Sequence, residues 1–231
     1  MKRRTLLTSA FVGVASLVGA EAQAQAPAAA GWPIKPLPFD PKKLKGLSEK
    51  LIVSHHDNNY AGAARRIGQI QQMLGGLPNN APGFQVKGLK MEELIATNSA
   101  ILHEEYFGNL GGDGKASGGV QQAIASDFGG FDKWEQGFRA TSTALGGGSG
   151  WAILNFNLGD GKLHNYIAFD HTDNVPFGRP ILVNDMFEHA YAMDFGANAA
   201  MYIDAFMQNV NWDECNRRFE EAKKIYLSLK L

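Results

Sequence analysis

Cysteine is nearly absent. The 231 residues hold one, Cys215. No disulfide can therefore form within the chain, and neither a four-cysteine zinc site nor a cysteine-held iron–sulfur cluster can be built from it. No long apolar run follows the first two dozen residues, so the mature sequence offers no membrane span. An excess of one charge is missing as well. The 22 Lys and Arg stand against 23 Asp and Glu, a net charge of −1. There is no basic stripe and no interleaving of basic with aromatic residues, which argues against a nucleic-acid partner. The glycine run Gly146-Gly-Gly-Ser-Gly150 is followed by no Gly-Lys-Ser/Thr, so it is not a phosphate-binding loop. It reads instead as a place where a helix turns closely into a strand.

The chain is 45% hydrophobic and 19% charged, and its length is enough for one substantial domain or two small ones sharing a core. The N-terminus stands apart. Lys2-Arg3-Arg4, an apolar stretch over residues 6–20 and the small residues Ala22-Gln-Ala24 have the layout of a signal peptide over residues 1–24. Its apolar part is too short to cross a bilayer. The paired Arg3-Arg4 fits twin-arginine export, and a general secretory signal with two arginines fits equally. Either route takes the mature protein out of the cytoplasm, to the periplasm. With Lys2, Arg3, Arg4 and Glu21 removed, 19 basic residues face 22 acidic ones, a net charge of −3.

Residues 25–46 are rich in Ala, Pro and Lys and lack periodicity, so they read as a linker and extended lead-in. Residues 47–112 read as an N-terminal α-hairpin domain. His55, Asn59, Ala63, Ile67, Ile70 and Leu74 fall near one stripe of a helix, which the Gly- and Pro-rich residues 75–83 end. A second helix over about residues 90–107 buries Ile95, Leu102 and Tyr106, with His103 beside them. Six glycines between Gly108 and Gly119 then mark a boundary.

Residues 113–231 read as a C-terminal α/β domain. Phe131, Trp134, Phe138 and Leu145 share a helix face, after which the pattern changes to period two. Ala152, Leu154 and Phe156 alternate with Trp151, Ile153 and Asn155. Asp160-Gly161 signals a hairpin, with Leu163, Asn165, Ile167, Phe169 and His171 on the return strand. Residues 180–183 would be a third strand, and Asn211-Trp-Asp-Glu214 a capping box opening a final helix. The predicted class is α+β: an N-terminal α-hairpin followed by a small three-stranded antiparallel sheet packed with helices.

The chemistry gathers at Asp185-Met-Phe-Glu-His189. If this stretch opens a helix, Asp185 and His189 sit at i and i+4 on one face. Such an oxygen and nitrogen donor pair makes half a site for iron, manganese or zinc. There are six histidines: 55, 56, 103, 164, 171 and 189. His55 and His103, each on the apolar side of a hairpin helix, complete a three-His, one-Asp set. A zinc hydrolase could use the same ligands, though no general base stands near them in the sequence.

Several motifs carry this further: Gly148-Ser-Gly-Trp151-Ala152, Asp185-Met-Phe-Glu-His189-Ala-Tyr191 and Val210-Asn-Trp-Asp-Glu214, with Phe131-Asp-Lys-Trp134 and Phe169-Asp-His171 in support. Through them, from about residue 36 to the C-terminus, the chain resembles the iron/manganese superoxide dismutase family. The resemblance implies that His55, His103, Asp185 and His189 bind one iron or manganese ion, with solvent as a fifth ligand. It implies superoxide as substrate, turned over as the metal alternates between two oxidation states. His171 would hydrogen-bond the bound solvent, since Ser99, the other position from which the family supplies that group, is too short. Trp151 would wall the site, and Phe187 stands where the family usually has Trp. Glu188 would reach across a two-fold interface to His189 of the partner subunit in a homodimer. His56 and His164 are left as structural or solvent-facing.

The same resemblance exposes departures. With His55 as first ligand, Asn59 and Ala63 stand where the family usually has a relay His and a gateway Tyr, and Ala192 replaces a further Tyr. Tyr60 remains as a candidate proton source. The basic residue expected near Asn198-Ala199-Ala200 is missing, which leaves open how an anion is guided to the site. A metal-binding paralogue with impaired or lost dismutase activity therefore stays as the alternative.

Overall fold

The computed structural model describes residues 31–173 and 177–229. The proposed signal peptide over residues 1–24 lies outside the described residues, as does the first part of the lead-in.

Residues 31–46 run extended apart from one 3-10 turn, Pro41–Lys43, as their composition predicts. They are nevertheless fastened to the body. The Trp32 Nε1–H donates to Glu104 at 2.7 Å, the Lys35 N–H to the Tyr60 hydroxyl at 2.9 Å and the Lys45 N–H to Asn209 at 2.9 Å. Backbone donors without regular structure need such side-chain partners when they pack against protein.

Helix α1, Glu49–Ser54, starts where Ser48 accepts the Leu51 N–H at 3.0 Å. It passes into a π-helical turn, His55–Tyr60, and then into α2, Ala61–Gly75. The extra residue in that turn breaks the predicted stripe. Tyr60, Ala61 and Ala64 are buried, while Asn59 and Ala63 are only partly so. Such insertions cluster at functional sites, and here the two shifted residues face a cleft rather than the core. Helix α3, Gly83–Gly108, begins directly after Pro82 and is longer than predicted, because Pro is well suited to a helix N-terminus. Together α2 and α3 form the hairpin.

Two helices of the second half were not anticipated in full. α4, Gly118–Phe128, buries Val120 and Ile124 and ends at Gly129, whose φ of 73° is left-handed. α5, Phe131–Thr143, stops short of Leu145, which is buried beyond its end.

The sheet has three antiparallel strands in the order β2-β1-β3: β1 Trp151–Asn157, β2 Lys162–Ala168 and β3 Gly178–Asp185. β1 lies in the middle, with α5 against it, and residues 151–156 are all buried. Its period-two pattern thus separates two covered faces rather than core from solvent. Pro180 lies in edge strand β3, beside a register shift at Leu154/Asn155, where a residue lacking an N–H is tolerated. β2 ends at Ala168, so Phe169, exposed, and His171, in the following turn, are not part of it.

After β3 come a 3-10 turn, Glu188–Ala190, the short α6, Ala192–Phe195, then α7, Ala199–Met207, and α8, Trp212–Leu229. The predicted capping box is half formed. Asn211 accepts the Glu214 N–H at 3.3 Å, but the Glu214 carboxylate turns to Arg217 and Arg218 instead of back to the cap. α3 and α8 both pack on β3, and this brings the end of β3 against the α-hairpin.

Candidate metal centre

Four elements contribute one side chain each. His55 opens the π-helical turn, His103 lies on α3, Asp185 ends β3 and His189 sits in the 3-10 turn after it. Asp185 and His189 do not share a helix face. The chain leaves the strand at Asp185, and Phe187 returns its N–H to Asp185 Oδ1 at 2.8 Å, folding the next residues back over the carboxylate. The Tyr202 hydroxyl donates to the Asp185 carbonyl at 2.7 Å and lies 3.3 Å from the Tyr106 hydroxyl. Tyr202 on α7 thereby fixes the strand end from the core side, a role that no spacing in the sequence marks.

Asp185 Oδ2 is the hub, 3.0 Å from His55 Nε2, 3.2 Å from His189 Nε2 and 3.5 Å from His103 Nε2. The four ligating atoms lie within 4.8 Å of one another, and His55, His103 and Asp185 are buried. His103 Nδ1 donates to the Ser99 carbonyl at 2.7 Å. Its Nε2 is then the unprotonated nitrogen, and it is buried without a hydrogen-bond partner. A lone pair aimed at a carboxylate oxygen is repulsive until a cation lies between them. Three imidazoles and one carboxylate fit a single first-row metal ion.

The protonation pattern agrees. Burial lowers His55, against the opposing pull of Asp185. Burial, with His55 alongside, pushes His103 down to about 3. Burial alone would raise Asp185, but the charge of His189 and hydrogen bonds from His189 and His55 hold it well below the usual carboxylate range. His189 is opposed by its own burial yet ends up raised by Asp185. His55 and His103 are thus held neutral, while the Asp185 anion holds a proton on His189 that a bound cation would displace.

His171 joins it from the turn after β2. Trp151 Nε1–H can only donate, and it does so to His171 Nδ1 at 3.1 Å. The neutral ring therefore carries its proton on Nε2. It stacks on Phe187 at 4.6 Å, and Trp151, fully buried, meets the His103 ring edge-on at 5.1 Å. Burial lowers His171 as well.

A cleft of about 240 Å³ leads to this centre. His103, His171 and His189 line it, together with Asn59, Ala63 and Arg66 from the helix of the first histidine and Ile95 and Ser99 from α3. Ser99 lies 3.3 Å from His103 Nδ1. His56 points elsewhere, to Asp57 Oδ1 at 2.7 Å and the Lys35 carbonyl at 2.8 Å, and His164 meets Asp160 at 2.8 Å on the surface. Tyr60 does not line this cleft. Its hydroxyl donates to Glu104 at 2.9 Å, in a separate cleft of about 270 Å³ that contains none of the four clustered residues.

A buried carboxylate ringed by three imidazoles, where an α-hairpin meets a three-stranded antiparallel sheet, defines a mononuclear metalloprotein. Residues 116–218 match the C-terminal domain model of the iron/manganese superoxide dismutases. An iron superoxide dismutase of Cupriavidus metallidurans is 50% identical over 192 residues, 83% of this chain and 98% of the relative. One from Aquifex aeolicus is 35% identical over 199 residues, 82% and 92% of the two chains. A manganese superoxide dismutase of Halobacterium salinarum is 30% identical over 196 residues, 83% and 96%. The chain belongs to the iron/manganese superoxide dismutase family.

Proposed function

We propose that this chain is a superoxide dismutase, converting superoxide to dioxygen and hydrogen peroxide at one iron or manganese ion per subunit held by His55, His103, Asp185 and His189. The observation that carries this reading is the convergence of those four side chains on one buried point. Relatives named for iron and for manganese support the choice of metal. When bound, such an ion supplies a one-electron couple that can accept an electron from one superoxide and donate it to another. The test is consumption of pulse-generated superoxide by protein of measured metal content; a rate no faster than in metal-stripped protein rejects the reading.

The protein's own groups set the conditions for that chemistry. Asp185 supplies the single compensating negative charge, and Trp151 and Phe187 set aromatic surface against His103 and each other beside it. Peroxide carries two protons that superoxide lacks. With Ala63 and Asn59 where the family has Tyr and His, the cleft wall offers the His171 Nε2–H and water instead. Replacing His171 by Ala is expected to leave the metal content unchanged and lower turnover by about 10- to 100-fold, as loss of groups that orient a metal site does. Unchanged turnover would make His171 merely structural.

The same reading makes the protein a homodimer. Glu188 supports it, being exposed immediately before His189 on the surface turn, where the resemblance has this residue cross to His189 of the other subunit. Sedimentation is expected to give twice the chain mass, and Glu188→Ala to shift the population toward monomer; a monomeric parent protein rejects it. The Lys2-Arg3-Arg4 stretch and the small residues at 22–24 support export, and the mass of the exported protein checks removal of residues 1–24.

A further inference from the structure

We propose that Arg66 is the anion guide of this enzyme, drawing superoxide into the cleft; the inference rests on the dismutase reading above. Of the described residues that line the cleft, Arg66 alone carries a permanent charge. Asn59, Gly62, Ala63 and Arg66 follow one another along the same wall, at the i, i+3, i+4 and i+7 spacing of one helix face. Gly62 and Ala63 have no reach, and a Cβ built on Gly62 would meet nothing within 4 Å. The path from the guanidinium along the helix to His103 and His189 is therefore unobstructed by side chains of that wall. Seven residues of helix span roughly 10 Å, close to the Debye length at physiological ionic strength. A charge at the mouth is thus felt at the floor in dilute buffer and screened in concentrated salt.

The setting of Arg66 suits a guide better than a structural tie. Its partner is Glu92 on α3, at 3.5 Å, with the two side chains 59% and 50% exposed. A pair this long and this wet is worth little to stability, and it leaves the guanidinium free to turn toward the cleft. The wall opposite, Ile95, Ala96 and Ser99 of α3, contributes no cation. Ala63 and Arg66 lie one turn apart on that wall, so the permanent positive charge of the cleft comes from the helix that follows the first histidine.

Arg66→Glu, Arg66→Lys and Glu92→Gln should be compared with the parent protein, each with measured metal content and thermal midpoint. At low ionic strength Arg66→Glu is expected to lower kcat/KM for superoxide about fivefold, the Coulomb effect of reversing one charge across some 10 Å of water-filled cleft. The difference should vanish in concentrated salt. Arg66→Lys should keep most of the rate, Glu92→Gln should raise it, and metal content and thermal midpoint should stay the same. A merely structural arginine would not change the salt slope, so an Arg66→Glu protein with the parent's rate and slope overturns the proposal. Azide, a small monovalent anion, provides a readout independent of turnover. Its affinity for the metal-loaded protein, followed by visible absorption, should fall in Arg66→Glu and recover in Arg66→Lys. If the loaded parent consumes no superoxide, the dismutase reading fails by itself; the azide comparison then still decides whether Arg66 governs anion entry, equal affinities overturning it.

Discussion

Asp185→Ala is expected to empty the metal centre and reduce superoxide turnover to background. Asp185 Oδ2 is the one atom within 3.5 Å of all three imidazole nitrogens, and it carries the only negative charge in a cluster whose other members are neutral donors or cations. Without it, an ion would sit in a buried pocket with no charge compensation, a cost of several kcal/mol. Affinity should therefore fall by more than two orders of magnitude, since every 1.4 kcal/mol is about tenfold. The fold should survive, because Tyr202 bonds to the backbone carbonyl of residue 185 rather than to its carboxylate. Elemental analysis beside circular dichroism separates the two effects. Asp185→Asn keeps the shape and removes the charge, and it should lose metal nearly as completely. Full occupancy in the folded Asp185→Ala protein would mean that the ion is held elsewhere.

Much of this centre was legible because its residues are chemically conspicuous. His189 stands within a recognisable run and His103 on the apolar side of a hairpin helix, and the choice of His55 over its neighbour His56 followed from the family resemblance. The structure places His55 in the cluster and sends His56 to Asp57 and Lys35. The hairpin, the three antiparallel strands and the turn at Asp160-Gly161 were readable from period and turn chemistry. What could not be read was geometry fixed by tertiary contacts. The π-helical turn has no sequence signature, yet it rotates Tyr60 inward and Asn59 and Ala63 toward the cleft. Asp185 and His189 have helical spacing, but β3 claims the first of them for its ladder opposite Trp151. α4 is short and flanked by glycines, so only two buried residues, Val120 and Ile124, betray its face. Arg66 carries no motif of its own, and only the packing of α3 against α2 puts it on the wall of a cleft.

The buried arginine of α8 shows how the outer framework holds this centre in place, and Arg218→Ala is expected to destabilise the fold by about 3–5 kcal/mol, the usual effect of removing one partner from a buried ion pair. Arg218 is 2% exposed. Its Nε donates to Glu214 Oε1 at 2.9 Å, its Nη2 to the Glu105 carbonyl at 3.0 Å and its Nη1 to the Ile181 carbonyl at 3.3 Å, and Nη1 also pairs with Glu105 Oε2 at 2.9 Å. The guanidinium thus joins α8 to α3 and β3 at once. Glu105 lies two residues beyond His103, and Ile181 four before Asp185. Truncation would leave Glu105 Oε2 buried without its cation, although Arg179 would still hold the other carboxylate oxygen. A loss of this size in a chain of this length lowers the thermal midpoint by about 10 °C. Arg218→Lys should recover only part of it, because an ammonium cannot reproduce the planar fork that serves Glu214, Glu105 and Ile181 together. Arg218→Met with Glu105→Gln removes both charges and fills the space, so it should be more stable than Arg218→Ala alone. Denaturant unfolding of the metal-free proteins measures all three. A change below about 1 kcal/mol in Arg218→Ala would show that α8 is held by its apolar face, through Phe219 and Ala222, and that the spacing between His103 and Asp185 does not depend on the arginine.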